Sequence, residues 1–312
     1  MMGRILITPR SLSKGGHPAL QPLSDAGFEL VMPAPGATPS EADLIAALPG
    51  CSGWLAGVEP VTEAVIAAAT DLRVISRNGT GVDNLPVALL AARGIELRRA
   101  EGTNARAVAE LALTLALAGL RDVVPTHAGM REGAWPRRVG SEIAGARVGV
   151  IGLGAIGAGF AEMCLALGAR VQGFDPFVPE DRITRANFTR CSFDEALTGA
   201  EVLSLHAPMP SDGSPLLDAA ALARLAPGAV VVNTARAGLV GDADMLDALN
   251  AGQVGTYATD VFHTEPPEPS DLLRHGRVVT TTHIGGFTNA SVDRSTRRAV
   301  DNLLEVLRTH AH

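Results

Sequence analysis

The chain has 312 residues, 46% hydrophobic and 19% charged, which is enough for two domains of ordinary size and excludes a disordered chain. A formal net charge of −7 excludes a nucleic-acid binder working through a basic face. Three scattered cysteines, Cys51, Cys164 and Cys191, form no CxxC pair, so neither a disulfide framework nor a zinc site is expected, and a reducing cytoplasm is the expected setting.

Short apolar runs alternate with Ala/Leu-rich helical stretches from the start. The run Ile5-Leu6-Ile7 is too short for a signal-peptide core and predicts a strand over 4–8. There follow a helix over 18–26, a strand over 28–32, and a helix over 40–48 with Ser40 as N-cap. A strand over 53–57, a helix over 62–69, a strand over 73–77, a helix over 85–93 and a strand over 95–99 complete the first series. Alternating βα units of this size predict a parallel sheet covered on both faces. A helix over 105–120 comes next; its apolar part is well short of the ~20 residues that span a bilayer, so no membrane contact is expected. The segment holding Pro125, Gly129, Gly133, Trp135 and Pro136 is expected to be irregular. A second series then predicts strands over 147–152, 170–175, 202–206, 229–234, 255–261 and 278–282, and the chain closes on a helix over 289–308.

Gly152-Leu153-Gly154-Ala155-Ile156-Gly157 stands between the strand Val148-Gly149-Val150-Ile151 and a helix predicted over 158–167. That is the setting a dinucleotide fingerprint requires. The first glycine allows the turn, the second lets the backbone approach a pyrophosphate, and the third lets helix and strand pack closely. The helix N-terminus, beginning near Ala155 and Ile156, offers N–H groups to the phosphates. Asp175 stands 18 residues after Gly157, at the end of the next strand, where an acid can bind the adenosine ribose hydroxyls. Pro176-Phe177-Val178 carries no arginine to receive a 2′-phosphate, so NAD is the expected cofactor.

Three residues each follow a predicted strand of the second series: Arg236, Glu265 and His283. Ligands of open α/β sheets sit outside the carboxyl ends of the strands. An arginine can grip a carboxylate in a fork and polarise the neighbouring carbonyl. A histidine can give or take the proton when hydride arrives at that carbonyl carbon. A glutamate beside it would stabilise the imidazolium and fix the ring. No Cys/His cluster has ligand spacing, so no metal is expected.

Several motifs occur in order: Asn78-Gly79-Thr80-Gly81-Val82-Asp83-Asn84, Gly152 to Gly157, Leu205-His206-Ala207-Pro208, Asn233-Thr234-Ala235-Arg236, Asp260-Val261-Phe262 with Glu265-Pro266, and Thr282-His283-Ile284-Gly285-Gly286. On these the chain resembles the D-isomer-specific 2-hydroxyacid dehydrogenases, close to phosphoglycerate dehydrogenase-like members without a regulatory domain. The resemblance covers nearly the whole chain. It implies that Arg236, Glu265 and His283 are the catalytic triad. It implies that His206, Pro208, Thr234, Asp260 and Gly285 line the cofactor cleft, with Asp260 on the nicotinamide carboxamide. It implies that Thr80, Gly81 and Asn104 join Arg236 in holding the substrate. It also implies an α/β chain of two doubly wound parallel-sheet domains. A flavodoxin-like substrate domain spans 1–100 and 285–312, and a Rossmann cofactor domain, 101–284, is inserted into it. Hinge closure and a homodimer, built through the 105–120 helix and the arm around Trp135, are implied as well.

One loop departs from the pattern. Phosphoglycerate dehydrogenases usually carry a phosphate-holding arginine after the third strand of the substrate domain. Here the loop reads Leu55-Ala56-Gly57-Val58-Glu59-Pro60. Glu59 is expected to repel a phosphate, although Arg77 and Arg106 could compensate. The expected substrate is therefore a small unphosphorylated 2-oxo acid of the hydroxypyruvate or glyoxylate type. Phosphoglycerate dehydrogenase proper, phosphite dehydrogenase and an NADH-sensing binding protein are the alternatives. Formate dehydrogenases usually have glutamine where Glu265 stands.

Overall fold

The computed structural model describes residues 3–82 and 84–309; Asp83 of the 78–84 motif, and 1–2 and 310–312 of the outer segments, lie outside the described residues. The chain divides into two compact units, one of Met1–Asn104 with Asn289–His312 and one of Ala105–Thr288. The crossings fall at 104 and 288, where the sequence suggested 100 and 284. Both coincide with a helix start, Ala105–Leu120 and Asn289–Thr309. Thr103 belongs to the first unit because its hydroxyl donates to the Ala100 carbonyl (2.8 Å) and meets Ser295 Oγ (2.7 Å). Ile284 and Gly285 belong to the second, held by the Asp260 carboxylate.

The first unit is a five-stranded parallel sheet: β1 (Arg4–Ile7), β2 (Glu29–Val31), β3 (Cys51–Ala56), β4 (Val74–Arg77) and β5 (Glu96–Arg99), in the order β2-β1-β3-β4-β5. This is the flavodoxin-like doubly wound order. The central strands read as continuous apolar runs because both faces are covered. Leu6, Trp54 and Ile75 pack with Leu44, Val65, Ile66 and Leu90 on one face. Ile5, Ile7, Leu55 and Val74 pack with Leu12, Leu23, Leu303 and Leu307 on the other, the last two from the Asn289–Thr309 helix. The helix Glu41–Ala47 begins at a full capping box. Ser40 Oγ accepts from Asp43 N–H, and the Asp43 carboxylate accepts from Ser40 N–H.

The second unit is a seven-stranded parallel sheet: β6 (Arg147–Ile151), β7 (Arg170–Phe174), β8 (Phe188–Arg190), β9 (Val202–Leu205), β10 (Ala229–Asn233), β11 (Val254–Thr259) and β12 (Val278–Thr280). Its order is β12-β11-β10-β9-β6-β7-β8, the Rossmann arrangement with one strand added at the far edge. Two local expectations change. β8 is additional to the expected strands, since Phe188 is the one apolar residue in Phe188-Thr189-Arg190 and no apolar run marks it. The segment expected to be irregular contains a helix, Val123–Arg131. Pro125 sits in its first turn, where a missing N–H breaks no intrahelical bond. Gly129 in turn lies under Pro136, whose ring a side chain there would meet at 2.8 Å.

All three cysteines are free thiols. Burial pushes Cys164 up to about 12, and burial together with the nearby Glu195 pushes Cys191 up to about 11. Neither is a reactive thiolate near neutrality. Among the described residues no helix is long and apolar enough to cross a membrane.

Candidate active site

At the carboxyl edge of the seven-stranded sheet, β6 ends and the chain turns through Gly152 at φ 91°. A side chain on Gly152 would lie 2.6 Å from the His206 carbonyl carbon, and one on Gly157 would overlap the Gly152 carbonyl oxygen. Neither position can carry a Cβ without opening the turn. Gly154 differs, because a Cβ there meets no protein atom within 4 Å. What its bareness preserves is an approach to the backbone from outside. The helix begins at Ala155 rather than near 158, so Ala155, Ile156 and Gly157 form its first turn, and no side chain caps it. Its leading N–H groups have no side-chain acceptor, the arrangement by which a helix start can receive an anion.

Asp175 follows β7 and spends its carboxylate on backbone. Oδ2 accepts from Leu153 N–H (2.8 Å), and Oδ1 from Phe177 N–H (2.8 Å) and Val178 N–H (3.1 Å). It thereby ties the glycine turn to the end of the next strand. Arg190, at the end of β8, carries no signal in the sequence. Its guanidinium donates to the carbonyls of Asp175 and Pro179, so a cation lies beside a loop that carries none in the residues directly after Asp175. Only the pairing of β7 with β8 brings it there.

His206 follows β9. Its Nε2 lies 2.9 Å from Ser204 Oγ, and its ring packs 5.3 Å from that of Phe160. Burial of the ring drives its pKa down to about 3, so the imidazole is neutral at physiological pH. Its Nδ1 is buried without a hydrogen-bond partner, as is Oγ1 of Thr234 after β10. Pro208 is exposed nearby in sequence. Two orphaned polar atoms, an uncapped helix and an open glycine position are what a dinucleotide would complete, so the residues present fit NAD.

The three candidate catalytic residues lie on this same unit. The buried Asn233 shapes the turn after β10: its Oδ1 accepts from Ala235 N–H (3.1 Å) and its Nδ2 donates to the Arg236 carbonyl (2.8 Å). Arg236 is exposed, and its Nη1 donates to the Ala235 carbonyl (2.7 Å). Glu265 and His283 meet directly, with His283 Nδ1 at 2.7 and 2.8 Å from the two carboxylate oxygens. His283 has φ 54°, the left-handed region that costs a side-chain-bearing residue free energy. Asp260 stabilises it there. Oδ1 accepts from Thr281 Oγ1 (2.6 Å) and Ile284 N–H (2.8 Å), and Oδ2 from Gly285 N–H (2.8 Å). Gly285 must be bare, since a Cβ would stand 2.9 Å from Asp260 Oδ2. Asp260 is therefore a support of the His283 turn, a task its sequence position does not announce.

Thr80, Gly81 and Asn104 lie on the other unit, the first two on the loop after β4 and the third at its boundary. Arg77 is nearly buried below that loop, with Nη1 on the Asn78 carbonyl (2.9 Å) and the guanidinium against Gly79. Arg106 belongs to the second unit and pairs with Glu110. The expected repulsion by Glu59 needs correction. Glu59 is 1% exposed and hydrogen-bonded within the unit, and burial pushes its carboxyl above the usual range, eased by Thr8, Gly57 and Arg77. The residue this loop displays is Val58, 69% exposed. The lack of a basic residue over 55–60 stands.

Residues 113–285 match the family model described as D-isomer specific 2-hydroxyacid dehydrogenase, NAD binding domain. The D-3-phosphoglycerate dehydrogenase of Mycobacterium tuberculosis (strain ATCC 25618 / H37Rv) is 38% identical over 260 residues, covering 82% of this chain and 49% of that protein. The D-3-phosphoglycerate dehydrogenase of Bacillus subtilis (strain 168) is 30% identical over 290 residues, covering 92% and 54%. The chain thus spans about half the length of these curated relatives. Among solved structures, the TT0316 protein from Thermus thermophilus superposes with a TM-score of 0.85 at 31% identity, over 98% of this chain and 97% of that one. A D-lactate dehydrogenase from Treponema pallidum gives 0.81 at 26% identity, over 98% and 97%.

Two outcomes follow from this geometry. Asp260→Asn replaces one acceptor oxygen by a donor facing N–H groups; urea unfolding should show a loss of about 2 kcal/mol, and an unchanged midpoint would contradict the support role. For His206, the unfolded chain takes up a proton below the ordinary value of 6.5 while the folded ring resists until about 3. Stability should therefore fall as pH drops through that window, and the His206→Gln protein should show a shallower fall in midpoint.

Proposed function

The chain belongs to the D-isomer-specific 2-hydroxyacid dehydrogenase family, and from that premise we propose that it transfers a hydride between NAD(H) and a small D-2-hydroxy acid or its 2-oxo acid, with unphosphorylated acids of the hydroxypyruvate or glyoxylate type preferred. The observation that carries this reading is the His283–Glu265 pair, closed at 2.7 Å through Nδ1. With Nδ1 committed, Nε2 is the atom left to exchange a proton with the substrate oxygen. Glu265 holds the ring and balances its charge when it is protonated. Arg236 takes the substrate carboxylate and draws electron density from the adjacent carbonyl. Thr80, Gly81 and Asn104, on the unit that serves as the substrate domain, are substrate-binding residues in this reading as well.

NAD, when bound, supplies or accepts the hydride. Gly152, Gly154, Gly157 and the N–H groups of Ala155 and Ile156 hold its pyrophosphate, and Asp175 its adenosine ribose. His206, Pro208, Thr234, Asp260 and Gly285 line the rest of the dinucleotide cleft. The names of the curated relatives favour a second reading, 3-phosphoglycerate as substrate. Against it stands the 55–60 loop, which lacks a cation for the phosphate. The proposed assembly is a homodimer, supported by Val123, Val124, Met130, Trp135 and Val139, large apolar side chains exposed along one helix and the arm behind it. The free cysteines suit the cytoplasm proposed as its setting.

NADH oxidation with glyoxylate, hydroxypyruvate, pyruvate, 2-oxoglutarate and phosphohydroxypyruvate tests the reaction. At least one unphosphorylated acid should turn over, and His283→Ala should lower kcat by about 10²–10⁴-fold with NADH affinity retained. Turnover that survives this substitution, or none with any acid despite NADH binding, would overturn the proposal. Sedimentation equilibrium should give twice the chain mass at micromolar concentration; a monomer mass would remove the dimer.

A further inference from the structure

A sheet of order β2-β1-β3-β4-β5 has its topological switch point between β1 and β3, and ligands of such sheets bind outside the carboxyl ends of the strands there. In the first unit this crevice is filled from within. Thr8 follows β1, Gly57 follows β3, and Glu59 folds back between them. Its Oε1 accepts from the Thr8 hydroxyl and from Gly57 N–H (2.9 Å). The same N–H reaches Thr8 Oγ1 at 3.1 Å, and Trp54 Nε1 donates to that oxygen at 3.0 Å. Gly57 has no side chain where one would stand 2.6 Å from Glu59 Oε2, so the bare glycine leaves room for the carboxylate. A glycine N–H, a hydroxyl and a nearby guanidinium, Arg77, are donors and charge that a small external anion would use.

The loop has backbone anchors besides the acid. Asn84 Nδ2 donates to the carbonyls of Glu59 (2.7 Å) and Gly57 (3.4 Å), and Val61 N–H donates to the Asn84 carbonyl (3.1 Å). The backbone of 57–61 is thus anchored independently of the Glu59 side chain, while burying that side chain carries a desolvation cost. We propose that Glu59 is a specificity-determining residue: its carboxylate occupies the anion position of the switch-point crevice and so denies it to a second acidic group of the substrate, a phosphate or a distal carboxylate. The inference rests on the 2-oxo acid reading above for the identity of the substrate, but not for the existence of the occupied anion position.

The test has two arms. The first compares hydroxypyruvate with phosphohydroxypyruvate and 2-oxoglutarate for the wild type, Glu59→Ala and Glu59→Gln. The alanine protein should lower KM for one or both doubly acidic substrates, relative to hydroxypyruvate, by about tenfold. The glutamine protein, whose amide still fills the crevice, should change the ratio much less. Which substrate gains tells phosphate from carboxylate. The second arm needs no turnover. Inorganic phosphate, exchanged for chloride at constant ionic strength, should raise the unfolding temperature of Glu59→Ala and leave that of the wild type unchanged. If Glu59→Ala does not fold, Glu59→Ser carries both arms. An opened variant with wild-type KM ratios and no phosphate response would overturn the proposal. A wild type that reduces no 2-oxo acid would sink the reaction proposed above, and the phosphate arm would still decide Glu59.

Discussion

The candidate chemistry of this chain hangs on one buried carboxylate. Asp260 receives a hydroxyl and two backbone N–H groups from the turn that carries His283, and it is 2% exposed. Charge-assisted hydrogen bonds of this kind, out of water, are strong enough to offset a left-handed residue, whose cost is of order 1–3 kcal/mol. Without that turn His283 would have no reason to stand against Glu265. The pair itself is half exposed and offers little stability of its own. The geometry is therefore held from behind, by a residue at the end of a neighbouring strand rather than by the partner the imidazole touches.

The same device recurs at another strand end of this sheet. Asp175 accepts from Leu153, Phe177 and Val178 and so fixes the glycine turn, as Asp260 fixes the histidine turn. In both places a carboxylate at a strand end reaches the N–H of a neighbouring connection, that of Leu153 in one case and those of Ile284 and Gly285 in the other. Parallel sheets make this natural, since every strand delivers its last residue to the same edge. A third acid, Glu59 of the other unit, stands three residues beyond its strand and also takes a hydroxyl and a backbone N–H, here from Thr8 and Gly57 at the ends of two neighbouring strands.

Much of this is legible in the residues. Among the described residues, eleven of the twelve strands are legible: the central ones because burial on both faces leaves an unbroken hydrophobic signal, and the edge strands such as Glu96–Arg99 because they alternate with helical stretches. The glycine fingerprint is legible because steric exclusion writes itself directly into composition. What stays hidden depends on pairing between distant segments. Arg190 reaches the Asp175 loop only through the β7–β8 ladder, and the direction of the Glu59 side chain is set by Thr8, fifty-one residues away in sequence. The helix at Val123–Arg131 is hidden for a local reason: proline and glycine read as breakers unless their place within the turn is known.

The Asn289–Thr309 helix completes a core whose other members come from the first hundred residues. Leu303 and Leu307 cover Gly53, and Asn302 donates to the Arg99 carbonyl at 3.1 Å. During synthesis the ribosome delivers β1 to β5 long before this cover, so one face of the sheet waits only partly covered, by the side chains of Leu12, Leu20 and Leu23, while residues 105–288 emerge. The inserted unit is contiguous and carries its own sheet and core, so it can fold on the ribosome ahead of the segment that precedes it. Vectorial synthesis can thus invert the usual amino-to-carboxyl order, leaving the first segment to complete its core last.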